Sequence, residues 1–143
     1  MKKINLFVYG SLREGFFNYD KYLAGKVVEK KDAILENMRL YHMPYKGYPA
    51  ITPGNDKVLG EIMVINEEEY DETVKDMDGM EGFISENNPE NEYHKIVLEV
   101  KNLQTNEKEK CFVYFYNKDK DKVFDSESVY IPNGDWKEYM LTK

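Results

Sequence analysis

The chain has 143 residues, 41% of them hydrophobic and 14% aromatic, mostly tyrosine. That is enough for one domain with a true core, and the aromatic content excludes a disordered chain. A formal charge of −7, with acids and bases both scattered, argues against nucleic acid and anionic membrane surfaces as partners. No apolar run approaches the roughly 20 residues that span a bilayer. The basic start Met1-Lys2-Lys3 leads into an apolar stretch that ends at Gly10, too short for a secretory signal. The expectation is a soluble cytoplasmic protein.

Ile4 to Tyr9 reads as a β-rich opening strand ended by Gly10-Ser11. Asn18-Tyr19-Asp20 can cap a short helix that stops at Gly25. Val27 to Tyr41 reads as one long or bent strand. Pro44, Gly47, Pro49, Pro53 and Gly54 then mark irregular chain and turns. Val58 to Ile65 is the next strand. Asn66 is the expected N-cap of the following helix, and Glu67, Glu68 and Glu69 suit the positive end of its dipole. Tyr70, Val74 and Met77 recur at helical spacing as the buried face, and Gly79 is the expected stop, with Glu81 in a Gly-flanked loop beyond it.

Tyr93 to Val100 and Cys111 to Tyr116 form an expected hairpin around a turn at Leu103 to Lys108. Asn117 to Ser126 reads as a surface loop, and Trp136, Tyr139 and Met140 as a short terminal helix. Cys111 is the one cysteine, so no internal disulfide can form, and its place in an apolar strand points to an inert core thiol. No linker or repeat interrupts the chain. The expectation is one α+β domain, residues 1–143, around a small curled sheet.

Two segments can carry chemistry. At Tyr9-Gly10-Ser11-Leu12-Arg13, successive N–H groups can form a nest for an anion, with the Ser11 hydroxyl as an added donor. Taken alone, a Gly-Ser strand end is more often an ordinary turn. The segment lacks the glycine spacing and the Gly-Lys-Ser/Thr ending of a phosphate loop. At Met77-Asp78-Gly79-Met80-Glu81-Gly82-Phe83, a carboxylate near a helix C-terminus and between apolar side chains should have a raised pKa. Taken alone, Glu81 is more often a solvated acid.

Asp76, Asp78 and Gly79 resemble part of a calcium loop, but counting from Asp76 puts Glu81 where glycine is required. His42 and His94 have no partners at metal-ligand spacing, so no catalytic metal is expected. No Gly-x-Ser-x-Gly elbow is present. No cofactor is expected.

In order along the chain, these segments resemble the γ-glutamylcyclotransferase-like family, with its γ-glutamylamine cyclotransferase and plant avirulence-induced branches. Phe7-Val8-Tyr9-Gly10-Ser11-Leu12 resembles its opening strand and substrate loop, followed by the typical Arg13, Gly15 and Asn18. Gly47-Tyr48-Pro49-Ala50-Ile51 resembles its Tyr-Pro-Ala segment, and Val58-Leu59-Gly60-Glu61 its Val-x-Gly-Glu strand. Met77-Asp78-Gly79-Met80-Glu81-Gly82 resembles the segment holding the family's catalytic glutamate. Val113-Tyr114-Phe115-Tyr116 is similar to its aromatic strand, and Gly134-Asp135-Trp136 to its closing motif. One departure is Tyr93-His94-Lys95, where many members carry Tyr-x-Arg; lysine keeps the charge and loses the bidentate fork.

The resemblance implies a small mixed β-barrel with flanking helices, Glu81 as general acid/base, and a substrate cradle at Tyr9, Gly10, Ser11 and Leu12. The implied partner is a small γ-glutamyl amine, amino acid or peptide, cyclised to 5-oxoproline. The alternative is a non-catalytic protein binding an amino acid derivative in the same cleft. Tyr9, Tyr48, Tyr114 and Tyr116 are candidates to tune Glu81. Phe16-Phe17 and Ser85 to Asn91 are candidate specificity loops.

Overall fold

A computed structural model describes residues 4–142, and the basic start Met1-Lys2-Lys3 lies outside them. Strands β1 (Asn5–Val8), β2 (Val27–Met43), β3 (Tyr48–Ile65), β4 (Tyr93–Asn102) and β5 (Lys108–Tyr116) run in the order β3-β1-β5-β4-β2, and a β2–β3 pairing closes the ring. Strand β6 (Val129–Ile131) adds to β2 outside it. The β1–β5 pairing is parallel and the others are antiparallel, so the barrel is mixed. The helices are α1 (Tyr70–Met80), α2 (Phe124–Glu127) and α3 (Trp136–Thr142), with a π-helical turn at Tyr19–Leu23. The expected mixed barrel with short helices is the observed architecture.

Alternation along β1 sorts the core. Leu6 and Val8 join a buried cluster with Tyr70, Val74 and Met77 of α1; Phe7 and Tyr9 join a second with Leu40, Ile62, Val113 and Trp136 of α3. The one free thiol among the described residues, Cys111, lies in the second cluster, and burial pushes it up to about 12.

The turns expected between Pro49 and Gly54 are not turns. Residues 48–65 form a single strand, in which Pro49 pairs with His42. Met38 faces both Pro53 and Asp56, so the Pro53-Gly54 pair sits in a register irregularity of a continuing hairpin. Proline and glycine are compatible with a strand at such a point, because the ladder hydrogen bond is already interrupted there. Asn37, at φ 64°, bends the opposing strand in the same place. The hairpin turn is at Pro44–Gly47, where the N–H groups of Lys46 and Gly47 both donate to Met43.

The segment after β5 also departs from a plain loop, since Asn117 and Phe124 are buried. Strand β6 was not expected. Three residues, two of them exposed, carry too short a pattern to read.

The closing segment reaches back to the barrel. Leu59 N–H donates to the Gly134 carbonyl at 2.8 Å, and a Cβ at Gly134 would lie 1.8 Å from the Lys57 carbonyl oxygen. Gly134 also has φ +70°. Both clash and backbone region exclude a side chain. Gly134→Ala is therefore expected to destabilise the fold by on the order of 2–4 kcal/mol, measured by urea unfolding; a change within experimental error would refute the close approach.

Candidate functional site

Glu81 is placed by the way α1 ends. The helix runs through Gly79, the expected stop, and closes at Gly82, with Glu81 as its C-cap residue. Gly82 has φ +69°, its N–H donates to Gly79, and Phe83 N–H donates to Asp78. This is the six-to-one and five-to-two pattern of a Schellman ending, with Phe83 returned to the apolar cluster that contains Met77. Glycine at position 79 can occupy a helix, whereas only position 82 needs the left-handed conformation. Glu81 thus belongs to a fixed helix terminus rather than to a loop beyond it.

Its side chain enters a cleft of about 510 Å³, mouth included, lined by Tyr9, Gly10, Ser11 and Leu12 on one side and by Met80, Glu81, Glu92, Tyr93 and Tyr114 on the other. Tyr48 and Pro49 complete the wall. Every residue of the expected cradle therefore meets Glu81 in one cavity. Tyr116, Phe16-Phe17 and the Ser85–Asn91 segment do not line it. Phe16 instead packs on Trp136, at 5.1 Å between rings, and Phe17 is exposed.

Burial pushes the Glu81 carboxyl up to about 8, with the like charges of Glu92 and Asp78 adding in that direction. Among the described residues no donor is hydrogen-bonded to it. Three of the cleft tyrosines are committed elsewhere. Tyr9 Oη donates to the Tyr114 carbonyl at 2.6 Å, Tyr93 Oη to the Pro49 carbonyl at 2.7 Å, and Tyr114 Oη to Asp78 Oδ1 at 2.6 Å. Burial, with Asp78 beside Tyr114, raises these phenols well above their usual range and keeps them protonated. The expectation that a tyrosine tunes Glu81 by direct hydrogen bonding is thus not met. They wall the carboxyl with their rings and contribute to its partial desolvation.

Lys95 stands outside the cleft. Its Nζ donates to Asp78 Oδ2 at 2.9 Å and lies over the rings of Phe83 and Phe112 at 5.1 and 4.9 Å. Lysine in the family's arginine position therefore braces the last turn of α1, a task for which a point charge suffices.

The loop opposite is equally anchored. Arg13 N–H donates to the Gly10 carbonyl at 2.9 Å, closing a turn, while the N–H groups of Gly10, Ser11 and Leu12 donate to no protein acceptor among the described residues. Asn18 Nδ2 donates to Ser11 Oγ at 2.8 Å, fixing the hydroxyl rather than capping the helical turn. A Cβ on Gly10 would lie 2.4 Å from the Pro49 ring, so glycine lets the loop close on that wall. Behind it, Arg13 joins buried Glu61 at 3.4 Å and Asp135 at 3.2 Å, and Glu61 also accepts the Glu14 N–H at 3.2 Å. Such a loop can take a carboxylate on free N–H groups.

Glu92 and Tyr93 are the cleft residues that sequence reasoning missed. Tyr93 was read only as the start of a strand. The signal available was position: Tyr93 opens β4, which pairs with the aromatic strand β5 that carries Tyr114.

A small mixed barrel that sets an unpaired acid against an open N–H turn defines a class of small-molecule protein suited to polar, anion-bearing ligands. The family described as gamma-glutamyl cyclotransferase, AIG2-like, matches residues 6–138, and the chain belongs to that family. A γ-L-glutamyl-butirosin B γ-glutamyl cyclotransferase of Niallia circulans is 28% identical over 137 residues, covering 96% of this chain and 78% of the relative. An uncharacterised protein of Pyrococcus horikoshii has the same fold, with TM-score 0.61, 22% identity and coverage of 98% and 95% of the two chains. An AIG2-like protein of Mus musculus shares it with TM-score 0.58, 22% identity and coverage of 78% and 76%. Family membership and the cyclotransferase relative support a γ-glutamyl cyclotransferase-like enzyme with a small γ-glutamyl substrate. Among the described residues no helix is long and apolar enough to cross a membrane.

The acid at the cleft floor weakens the fold at high pH. Its folded value of about 8 exceeds the ordinary 4.5, so between these values the folded chain binds more protons than the unfolded one. Stability from this group therefore falls as pH rises through that window. Glu81→Gln should match wild type near pH 5 and exceed it near pH 9 by on the order of 1–3 kcal/mol. Denaturant melts at the two pH values test this, and equal differences at both would contradict the raised carboxyl.

Proposed function

We propose that the chain cyclises the γ-glutamyl group of a small γ-glutamyl amine, amino acid or peptide to 5-oxoproline, releasing the amine, with Glu81 as general acid/base. The reading rests chiefly on one observation: an unpaired, desolvated carboxyl lies across the cleft from three N–H groups without protein acceptors. The N–H groups of Gly10, Ser11 and Leu12 take the substrate α-carboxylate, with the Ser11 hydroxyl beside them and Tyr9 as a wall. This leaves the γ-carbonyl within reach of the substrate's own amine, a near-attack arrangement for five-membered ring closure.

Proton movement then needs one group. Ionised Glu81 removes a proton from the α-ammonium, and the free amine attacks the γ-carbonyl. The protonated carboxyl delivers that proton to the departing nitrogen as the carbon–nitrogen bond breaks. The second proton, lost by the ring nitrogen as it becomes the lactam N–H, passes by the same carboxylate to the released amine, which leaves as an ammonium. A value near 8 suits both halves, since the group gains and loses its proton close to neutral pH. The approaching ammonium, being positive, favours the ionised form when it is needed. No metal or cofactor takes part in these steps.

The test is incubation with a panel of γ-glutamyl amines, amino acids and peptides, followed by assay for 5-oxoproline. Glu81→Gln is expected to lower kcat by roughly 10²–10⁴-fold, with ligand binding largely kept. Product release at equal rates by wild type and variant would rule the mechanism out. Tight binding without turnover by either would favour a binding protein.

The same group sets the pH profile. Only its ionised form is the base, so kcat/KM should climb with pH on a limb centred near 8. A profile flat across that region would remove Glu81 from the rate-determining protonation.

A further inference from the structure

The cleft contains a second carboxylate, Glu92, for which the steps above have no task. It is held on three sides. Its N–H donates to the Gly82 carbonyl at 3.0 Å, its carbonyl accepts from Asn117 N–H at 3.0 Å, and its Oε2 accepts from Lys46 Nζ at 2.9 Å. The close approach to Gly82 depends on the missing side chain there. A Cβ on Gly82 would lie 2.8 Å from Glu92 Cβ and 3.4 Å from its Oε1. Oε1 thus faces the residue that follows Glu81, while Oε2 is tied to Lys46. Among the described residues no donor is bonded to Oε1.

The substrate chemistry demands a site of this kind. A γ-glutamyl group carries its carboxylate and ammonium on one carbon, so the ammonium needs an anion close to the loop that takes the carboxylate. Three acids surround the spot, Asp78, Glu81 and Glu92. Asp78 has both oxygens engaged, by Tyr114 and by Lys95. Glu81 has to accept the proton, and cannot also serve as the lasting counter-charge. Glu92 has one oxygen fixed and one open.

Taking Glu81 as the base, we propose that Glu92 receives the substrate α-ammonium through Oε1 and presents it to Glu81, with Lys46 as the residue that positions Glu92. Two carboxylates then divide the work. Glu92 docks the ammonium, and Glu81 exchanges the proton. The groups facing Glu81 are Asp78 on its own helix, Glu92 ahead of β4, and the hydroxyl-bearing Tyr9, Tyr93 and Tyr114. The nearby cations, Lys46 and Lys95, reach it only through the acids they pair with.

The deciding measurement needs no turnover. In the Glu81→Gln background, calorimetry compares γ-L-glutamyl methylamide with its desamino counterpart, which keeps the carboxylate and lacks the ammonium. With Glu92 present, the amino form should bind roughly 10- to 100-fold tighter; with Glu92→Gln the two should bind within about twofold. An undiminished preference in Glu92→Gln would overturn the proposal. With Glu81 intact, Glu92→Gln should move the acidic limb of kcat/KM to lower pH by removing a like charge, and Lys46→Gln should move it higher. A Glu92 that docks nothing would still shift this limb through its charge, so the limb tests its closeness to Glu81 and the ligand comparison judges the docking. An unmoved limb in both variants counts against the assignment. If Glu92→Gln does not fold, the same ligand comparison in Lys46→Gln carries the decision, since that variant leaves every backbone contact of Glu92 in place. The preference for the amino form should then fall severalfold, and an undiminished preference would overturn the proposal. Turnover by Glu81→Gln at the wild-type rate would sink the base alone, leaving the ligand comparison to judge Glu92.

Discussion

Asp78 accepts from the Tyr114 hydroxyl and the Lys95 ammonium, and the Tyr114 carbonyl accepts from the Tyr9 hydroxyl. That short relay joins the last turn of α1 to β4, to β5 and to the loop after β1. Each bond is charge-assisted or buried, so each is costly to leave unmade. Because Asp78 lies one turn before Glu81, holding its carboxylate fixes the helix end from which Glu81 projects. The same relay fixes Tyr9 at the mouth of the anion-accepting turn. The two halves of the cleft are therefore referenced to one carboxylate, and the loop cannot shift without disturbing the acid.

The arrangement also explains why the tyrosines matter without touching the acid. Their hydroxyls are satisfied by backbone and by Asp78, which leaves rings, not donors, around Glu81. A donor aimed at that carboxyl would favour its ionised form and lower its proton affinity. Walls that are apolar at the point of contact do the opposite. The fold accepts an unpaired, partly desolvated acid in the cleft, a local cost that the surrounding barrel offsets.

What was legible in the sequence was local. The opening strand, the Asn66 cap, whose side chain accepts the Glu68 N–H at 2.9 Å, the β4–β5 hairpin and the α3 helix were all readable from caps, periodicity and turn residues. The mixed barrel and the pairing of Glu81 with the Tyr9 loop came from the order of family motifs, since residues 9 and 81 share no local signal. Pro53-Gly54 misled because those residues punctuate turns and strand irregularities alike, and only the partner strand decides between them. Gly79 and Gly82 were ambiguous for a similar reason. Which glycine ends a helix depends on where Phe83 finds apolar cover. Glu92 was not legible at all, because its role arises from Gly82 and Lys46, which lie 10 and 46 residues from it in the chain.

The bond from Arg13 to Asp135 spans 122 positions, and β1 lies parallel to β5 on its other side. In a chain made from its N-terminus, the turn after β1 emerges well before the segments that brace it. Until residue 135 has emerged, Arg13 has Glu61 but lacks Asp135, and until β5 has emerged, β1 has β3 alone beside it. Loop-closure entropy for contacts this distant must be met before they stabilise anything, so ring closure and site assembly become a single late event. A nascent chain of this kind holds no half-built cleft: the site arrives together with the fold.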